Sequence, residues 1–177
     1  SLDEYMGLSA GDERLFSSWL GRELLDPLNI PPGHRFKFIS DVPSPEEELR
    51  RMEKIIQAQQ GIDIAFLGLG VNGHIGFNEP GSPHEAGVRI AELAPATLEA
   101  NAAYWGGIET VPKKAFTLGL GTLRQAKHTV LLVRGWKKAE ALAASLNQPV
   151  SPAIPSTYLQ NQPNVTIIAD REAASAL

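Results

Sequence analysis

Residues 61–82 read GIDIAFLGLGVNGHIGFNEPGS. The first part, Ile62 to Leu67, is a nearly continuous apolar run of strand length that breaks into Gly68, Gly70 and Gly73. Such a run suits a strand buried on both faces, as in a parallel sheet. In open α/β sheets ligands bind beyond the carboxyl ends of the strands, so the loop that follows is the first place to look for chemistry.

The same rhythm extends outward in both directions. Upstream, Ser44, Pro45 and Glu47 set out an N-cap, a first-turn proline and a capping-box acid, with Leu49, Met52, Ile55 and Ile56 as the buried stripe of a helix. Ser9 and Asp12 resemble a second capping arrangement, and Leu15, Phe16, Trp19, Leu20 and Leu24 recur at helical spacing. Phe36 and Phe38 alternate with Arg35 and Lys37, which reads as a short strand. Downstream, Ala96 to Tyr104 reads as a helix, and Ala115 to Leu120 and Thr129 to Val133 as strands. Lys137 to Leu146 reads as a helix with Ala139, Leu142, Ala143 and Leu146 inward. Pro149 to Pro163 is a proline-rich loop with at most a short helix, and Val165 to Ala169 is a last strand. Strands separated by helices imply an α/β fold, doubly wound, with a mainly parallel sheet and helices on both faces.

Composition narrows the function. The 177 residues suit a single domain, 1–177. Sixteen Lys and Arg against twenty Asp and Glu give a net charge of -4. No positive field exists to hold a nucleic-acid backbone, so a nucleic-acid partner is not expected. The absence of cysteine excludes a disulfide frame, a thiolate metal site and a cysteine nucleophile. No apolar run approaches the roughly 18 residues of a membrane span, and a cytoplasmic protein with no membrane partner is the expectation.

Gly68, Gly70 and Gly73 literally satisfy GxGxxG after a strand, and Glu92 follows about 20 residues on, as a dinucleotide fingerprint would ask. That fingerprint needs a helix opening at the third glycine. Here His74, Ile75, Gly76, Phe77, Asn78, Glu79, Pro80 and Gly81 follow, and no uninterrupted helix fits. The glycines are better explained by tight turns and close backbone approach. What remains is a loop holding an imidazole, a carboxylate and two amides between Asn72 and Glu79. Each alone could be a turn former or a satisfied polar residue; their density marks the loop as a candidate site.

LDEY at Leu2 to Tyr5, GLGVNGHIGFNEPG at Gly68 to Gly81 and FTLGLGTL at Phe116 to Leu123 resemble the glucosamine-6-phosphate deaminase/isomerase family, close to galactosamine-6-phosphate isomerases. The similarity runs from Ser1 to about Ala173. Lactonases of the same fold carry a similar glycine and histidine stretch but lack FNEP. The resemblance implies a Rossmann-like fold, no cofactor, and an amino sugar phosphate as the small-molecule partner. The reaction it implies is aldose-ketose isomerisation with loss of ammonia.

By the same resemblance His74, supported by Glu79, matches the ring-opening acid/base. Asn72 occupies a position where members carry Asp or Asn, and there it would hold the imidazole tautomer. Asp3 matches the base that moves a proton between carbons 2 and 1, and a carboxylate in that role needs burial or a neighbour to bring its pKa toward working pH. Gly70, Gly73 and Lys138 match substrate-binding positions, although Lys138 also reads as a solvated surface lysine.

Departures from the family pattern are equally specific. Aligning Ala100 to Trp105 puts Ala103 where the family has a phosphate-binding Arg. The family's first strands and glycine-rich phosphate loop have no counterpart, so the fold is expected to be incomplete at its N-terminal side. Asp3 is expected to end a central strand and to fray at the terminus, with catalysis by this chain failing before folding does. Some members are hexamers activated by an acetylamino sugar phosphate. Ser82 and Arg89 match that activator site while Ala91 replaces its Lys, so no such activation is expected, Arg89 reads as a loop or interface cation, and a homo-oligomer stays open. Alternatives to glucosamine 6-phosphate deamination are galactosamine-6-phosphate isomerisation, a catalytically impaired sugar-phosphate-binding relative, a sensor domain and a lactonase.

Overall fold

A computed structural model describes residues 1–177. The apolar run at its centre forms a strand, as do two later runs, and they pair as a parallel sheet in the order β2-β5-β6. Here β2 is Ile64–Gly68, β5 is His128–Val133 and β6 is Val165–Ala169. A second sheet, antiparallel, has the order β1-β4-β3, with β1 at Asp3–Tyr5, β3 at Val88–Glu92 and β4 at Lys114–Leu118. The α/β class is borne out, and its parallel part is β2-β5-β6. Alternation along a strand says nothing about the direction of its partner, and either direction satisfies the same N–H and C=O groups.

Both sheets pack on one core. Leu67, Leu131 and Val133 from the parallel sheet meet Phe116, Leu118 and Val88 from the antiparallel one, together with Met52 and Leu142 from helices. Those helices are α2 (Pro45–Ala58) and α5 (Ala139–Asn147). A second cluster gathers Tyr5, Phe77 and Trp105, with Tyr5 5.2 Å from Phe77 and 5.0 Å from Trp105 between ring centroids. Trp105 ends α3 (Pro95–Trp105), where Gly106 takes up the left-handed conformation that closes the helix.

Several expectations are corrected. β2 is buried on one face only: Ile64 and Phe66 are 53% and 61% exposed, and with Leu132 and Ile168 they form an apolar surface. Helices therefore cover this sheet on one side, not both. The Phe36–Phe38 segment is not a strand, because its polar groups are taken up by α2 instead. Buried Glu48 accepts the Ile39 N–H at 2.7 Å, and Arg51 donates to the Lys37 carbonyl at 2.6 Å. β3 carries no strong sequence signal and was not expected. In α5, Ala139, Ala141, Leu142 and Ser145 are buried while Leu146 is exposed. Asp3 begins β1, an edge strand, rather than ending a central one, and the Leu2 carbonyl accepts the Leu118 N–H at 2.9 Å beside it.

The first helix, α1 (Phe16–Leu20), runs into a π-helical turn at Gly21–Leu25. Only Leu15 of its expected stripe is buried; Trp19 and Leu24 are exposed. Neither Ser9 nor Asp12 caps it. Its first N–H groups, on Phe16 and Ser17, donate to the carboxylate of Glu4, each at 2.9 Å, and Tyr5 N–H adds a third bond at 3.1 Å. Glu4 is wholly buried, so these donors are what make its charge tolerable there. Glu4→Gln replaces a charged acceptor by an amide whose NH2 faces other donors. We expect a loss of about 1.5–3 kcal/mol in a urea titration, with α1 the first region to lose hydrogen-exchange protection.

A short helix, α4 (Leu120–Leu123), follows β4. A Cβ on Gly119 would come within 2.2 Å of the Gly87 carbonyl oxygen, and one on Gly121 within 2.7 Å of the Glu85 backbone. The two glycines thus admit the 85–87 segment against β4, where Gly119 and Gly121 N–H groups bond Gly87 and Ala86. No helix is long and apolar enough to cross a membrane.

Candidate active site

The glycine-rich loop after β2 folds as a series of tight turns, and no helix opens at Gly73. Gly70 N–H bonds the His74 carbonyl at 2.8 Å, and Gly73 N–H bonds the Gly70 carbonyl. Gly70 is required by close approach: a Cβ there would lie 2.5 Å from Cδ2, Cε1 and Nδ1 of His74, so the imidazole lies directly over this glycine. Gly73 has φ +81° and packs against Ile154. The two glycines expected to bind substrate thus each have a reason inside the loop.

β4 ties this loop to β1. Phe77 N–H donates to Thr117 Oγ1 at 3.2 Å, and Asn78 Nδ2 donates to the Leu118 carbonyl at 2.8 Å and to the Ile75 carbonyl at 3.0 Å. Thr117 stands opposite Asp3 in the β1–β4 register. Consequently Asp3 abuts the loop at Gly76, where an added Cβ would be 3.6 Å from its Oδ2. Burial first, and then the neighbouring Glu4 charge, raise the Asp3 carboxyl from 3.8 to about 7, against the opposing pull of the amino terminus and His74. A carboxylate so placed is matched to proton transfer near neutrality.

His74 and Glu79 form the other half of the site. Nδ1 of His74 lies 3.1 Å from Glu79 Oε2. Asn72 makes no hydrogen bond to the imidazole, contrary to expectation; its Nδ2 donates to Glu79 Oε2 at 2.8 Å and its Oδ1 accepts the His74 backbone N–H. Burial works to raise the Glu79 carboxyl, but hydrogen bonds from His74 and Thr97, the His74 charge and the Asn72 amide outweigh it and hold the group at about 2. Glu79 is therefore ionised, an acceptor only, and Nδ1 must carry the proton of the shared bond. Nε2 makes no hydrogen bond within the chain and is left to exchange a proton with a ligand.

Three contributors escaped the sequence reading. Thr97, in the first turn of α3, places Oγ1 3.2 Å from His74 Nδ1. Thr117 is the β4 side chain that receives the loop. Arg89, expected to be a loop or interface cation, turns inward from β3 and donates to Ser82 Oγ at 2.6 Å, Asn78 Oδ1 at 3.3 Å and the Phe77 carbonyl at 3.4 Å, bracing the segment that carries Glu79. None belongs to a local motif; each meets the loop through strand or helix packing.

Lys138 closes the turn Trp136–Lys138 before α5. It forms no ion pair, and burial lowers its ammonium below the ordinary lysine value. No hydrogen bond links it to the His74 cluster. Ala103 lies on α3, nearly two turns beyond Thr97, and offers no charge. No cluster of three His, Asp or Glu side chains fit to hold a metal is present.

Known proteins resemble this chain in sequence and fold. Residues 7–168 match the family model described as glucosamine-6-phosphate isomerases/6-phosphogluconolactonase. The glucosamine-6-phosphate deaminase of Shouchella clausii is 45% identical over 175 residues, covering 99% of this chain and 71% of its own length. That of Streptococcus agalactiae is 38% identical over 182 residues, covering 100% and 75%. Among solved structures, a monomeric glucosamine-6-phosphate deaminase superposes with a TM-score of 0.96 at 37% identity, over 99% of this chain and 73% of that one. A 6-phosphogluconolactonase from Trypanosoma brucei, at 21% identity and a TM-score of 0.77, shares the fold. With a family match over most of its length and relatives this similar, the chain belongs to the family of glucosamine-6-phosphate isomerases and 6-phosphogluconolactonases.

Proposed function

We propose that the chain is an amino sugar phosphate deaminase/isomerase, acting in the cytoplasm on glucosamine 6-phosphate. The observation that carries the reading is the juxtaposition of a carboxyl raised to about 7, Asp3, with the loop that holds His74 by its Nδ1. His74 Nε2 exchanges a proton with the ring oxygen and the C1 hydroxyl, opening the sugar to its aldehyde. Asp3 takes the proton from C2 and returns it to C1, while the C1 carbonyl oxygen gains a proton and the amine gives one up, so that C1 becomes a hydroxymethyl carbon and C2 an imine. Water adds there and ammonia leaves, giving fructose 6-phosphate; water is consumed, so the net step is hydrolytic. Glu79 supports the imidazolium that forms when His74 accepts a proton. No step needs a cofactor.

Ammonia release from glucosamine 6-phosphate, followed with galactosamine 6-phosphate in parallel, tests this. Turnover on the order of 1 to 10³ per second supports the reading, and the faster substrate sets the sugar. Binding without turnover would overturn it in favour of an impaired binding relative, the reading that Ala103 favours.

Phosphate recognition should lean on Lys138, since Ala103 offers no charge. By calorimetry, Lys138→Ala should weaken sugar-phosphate binding about tenfold or more, as loss of a charge-assisted contact does. Equal binding would place the phosphate elsewhere.

A further inference from the structure

We propose that Thr97 is a positioning residue of this site: its hydroxyl, set against the His74 Nδ1 that Glu79 also faces, holds the imidazole in its Nδ1–H tautomer and couples α3 to the ring. Thr97 is 2% exposed. Its Oγ1 lies 3.2 Å from His74 Nδ1, the same ring nitrogen that Glu79 Oε2 approaches at 3.1 Å.

The directions of these bonds follow from charge. Glu79 is a carboxylate and can only accept. Its Oε2, 3.1 Å from Nδ1, therefore needs the imidazole proton on Nδ1. With that proton in place, the Thr97 hydroxyl cannot also donate to Nδ1. It turns a lone pair toward Nδ1–H, so that Glu79 Oε2 and Thr97 Oγ1 both stand as acceptors at this nitrogen. The opposite tautomer would leave the bare Nδ1 facing a carboxylate.

The backbone of α3 adds a second hold on the same carboxylate. Ala94 is the N-cap of α3, and its N–H reaches Glu79 Oε1 at 3.3 Å. In a capping box that donor would be met by an acid at the third helical position. Here the third position is Thr97, which faces the imidazole, and the acid comes from the glycine-rich loop. Thr97 N–H and Leu98 N–H both bond the Ala94 carbonyl, so the turn presenting the hydroxyl is itself fixed. A displacement of α3 must therefore disturb the Glu79–His74 pair. Since Ala103 lies on the same helix, a substitution that moves α3 there reaches the ring through Thr97.

The tautomer can be read without turnover, so this test separates from that of the proposed function; only its kinetic arm rests on the deaminase reading. With the 177-residue chain labelled with 15N at histidine, the His74 ring shifts should report Nδ1–H with a bare Nε2. Thr97→Ser, which keeps the hydroxyl, should preserve that pattern. Thr97→Val, of nearly the same shape, should move His74 toward a mixture of tautomers. In the kinetic arm, ammonia release by Thr97→Val should fall about tenfold in kcat, with KM little changed. Thr97→Ser should stay within about threefold. A wild-type His74 in the Nε2–H form, or a Thr97→Val variant with unchanged ring shifts, would overturn the proposal even if its urea midpoint fell. If wild-type ammonia release is absent while the ring shifts behave as described, the function reading fails and the positioning role stands.

Discussion

Asp3→Asn should abolish exchange of the substrate's C2 proton with solvent and lower ammonia release by about 10² to 10⁴, the usual worth of a general base, while leaving ring opening intact. Deuterium wash-in at C2 and the rate of anomer interconversion, measured on the same sample, separate the two steps. Equal small losses in both would remove Asp3 from the assignment. The pH dependence has a definite sign. Because burial, reinforced by Glu4, raises the carboxyl from 3.8 to about 7, the basic form appears only as pH rises through about 7, and activity should climb between pH 6 and 8.

Stability should run the other way. The folded protein holds the Asp3 proton more tightly than the unfolded chain. The contribution is fully present below about pH 4 and is lost as pH rises through about 7. Above pH 7 the inactive Asp3→Asn variant should therefore be more stable than the parent, by a few kcal/mol at most, and the difference should vanish below pH 4. A urea series at three pH values checks this.

Gly70→Ala should be comparably damaging to activity for a purely steric reason. The added methyl would lie 2.5 Å from three ring atoms of His74, a separation that no packed carbon keeps, so the imidazole must swing away. In doing so it gives up the bond from Nδ1 to Glu79 and the contact with Thr97. A misplacement of about 1 Å at a reacting group can cost about 10²-fold in rate, and the displaced ring should cost at least that. Gly70 does not have a positive φ, so alanine can adopt its backbone, and the urea midpoint should change little. Gly73→Ala makes the contrast: at φ +81° and against Ile154 Cγ2 it should lower stability as well as activity. Full activity in Gly70→Ala would mean that the ring does not sit over this glycine during catalysis.

Much of this was legible in the chain before any folding. The α2 helix, the strands β2, β5 and β6, and the α5 helix come from periodicities short enough to sit within one element, and tertiary contacts reinforced them. The crowding of Asn72, His74 and Glu79 after a strand marked the loop, and the five residues after Gly73 excluded a dinucleotide helix. What such patterns cannot express is which element meets which. β3 interrupts its apolar residues with Arg89 and ends in Glu92, and its pairing with β4 became visible only in the register that sets Arg89 opposite Thr117. Phe36 and Phe38 alternate like a strand, but Glu48 and Arg51 claim their neighbours' backbone groups. Glu4 looks like a surface acid and instead caps α1 from another element. Thr97 is one threonine in an alanine-rich helix, and nothing near it in sequence singles it out. Its role, like the placing of Asp3 beside Gly76, depends on side chains far apart along the chain sharing one carboxylate or one strand. Local propensity speaks for the elements, whereas burial of polar groups, each needing a partner, decides how those elements meet.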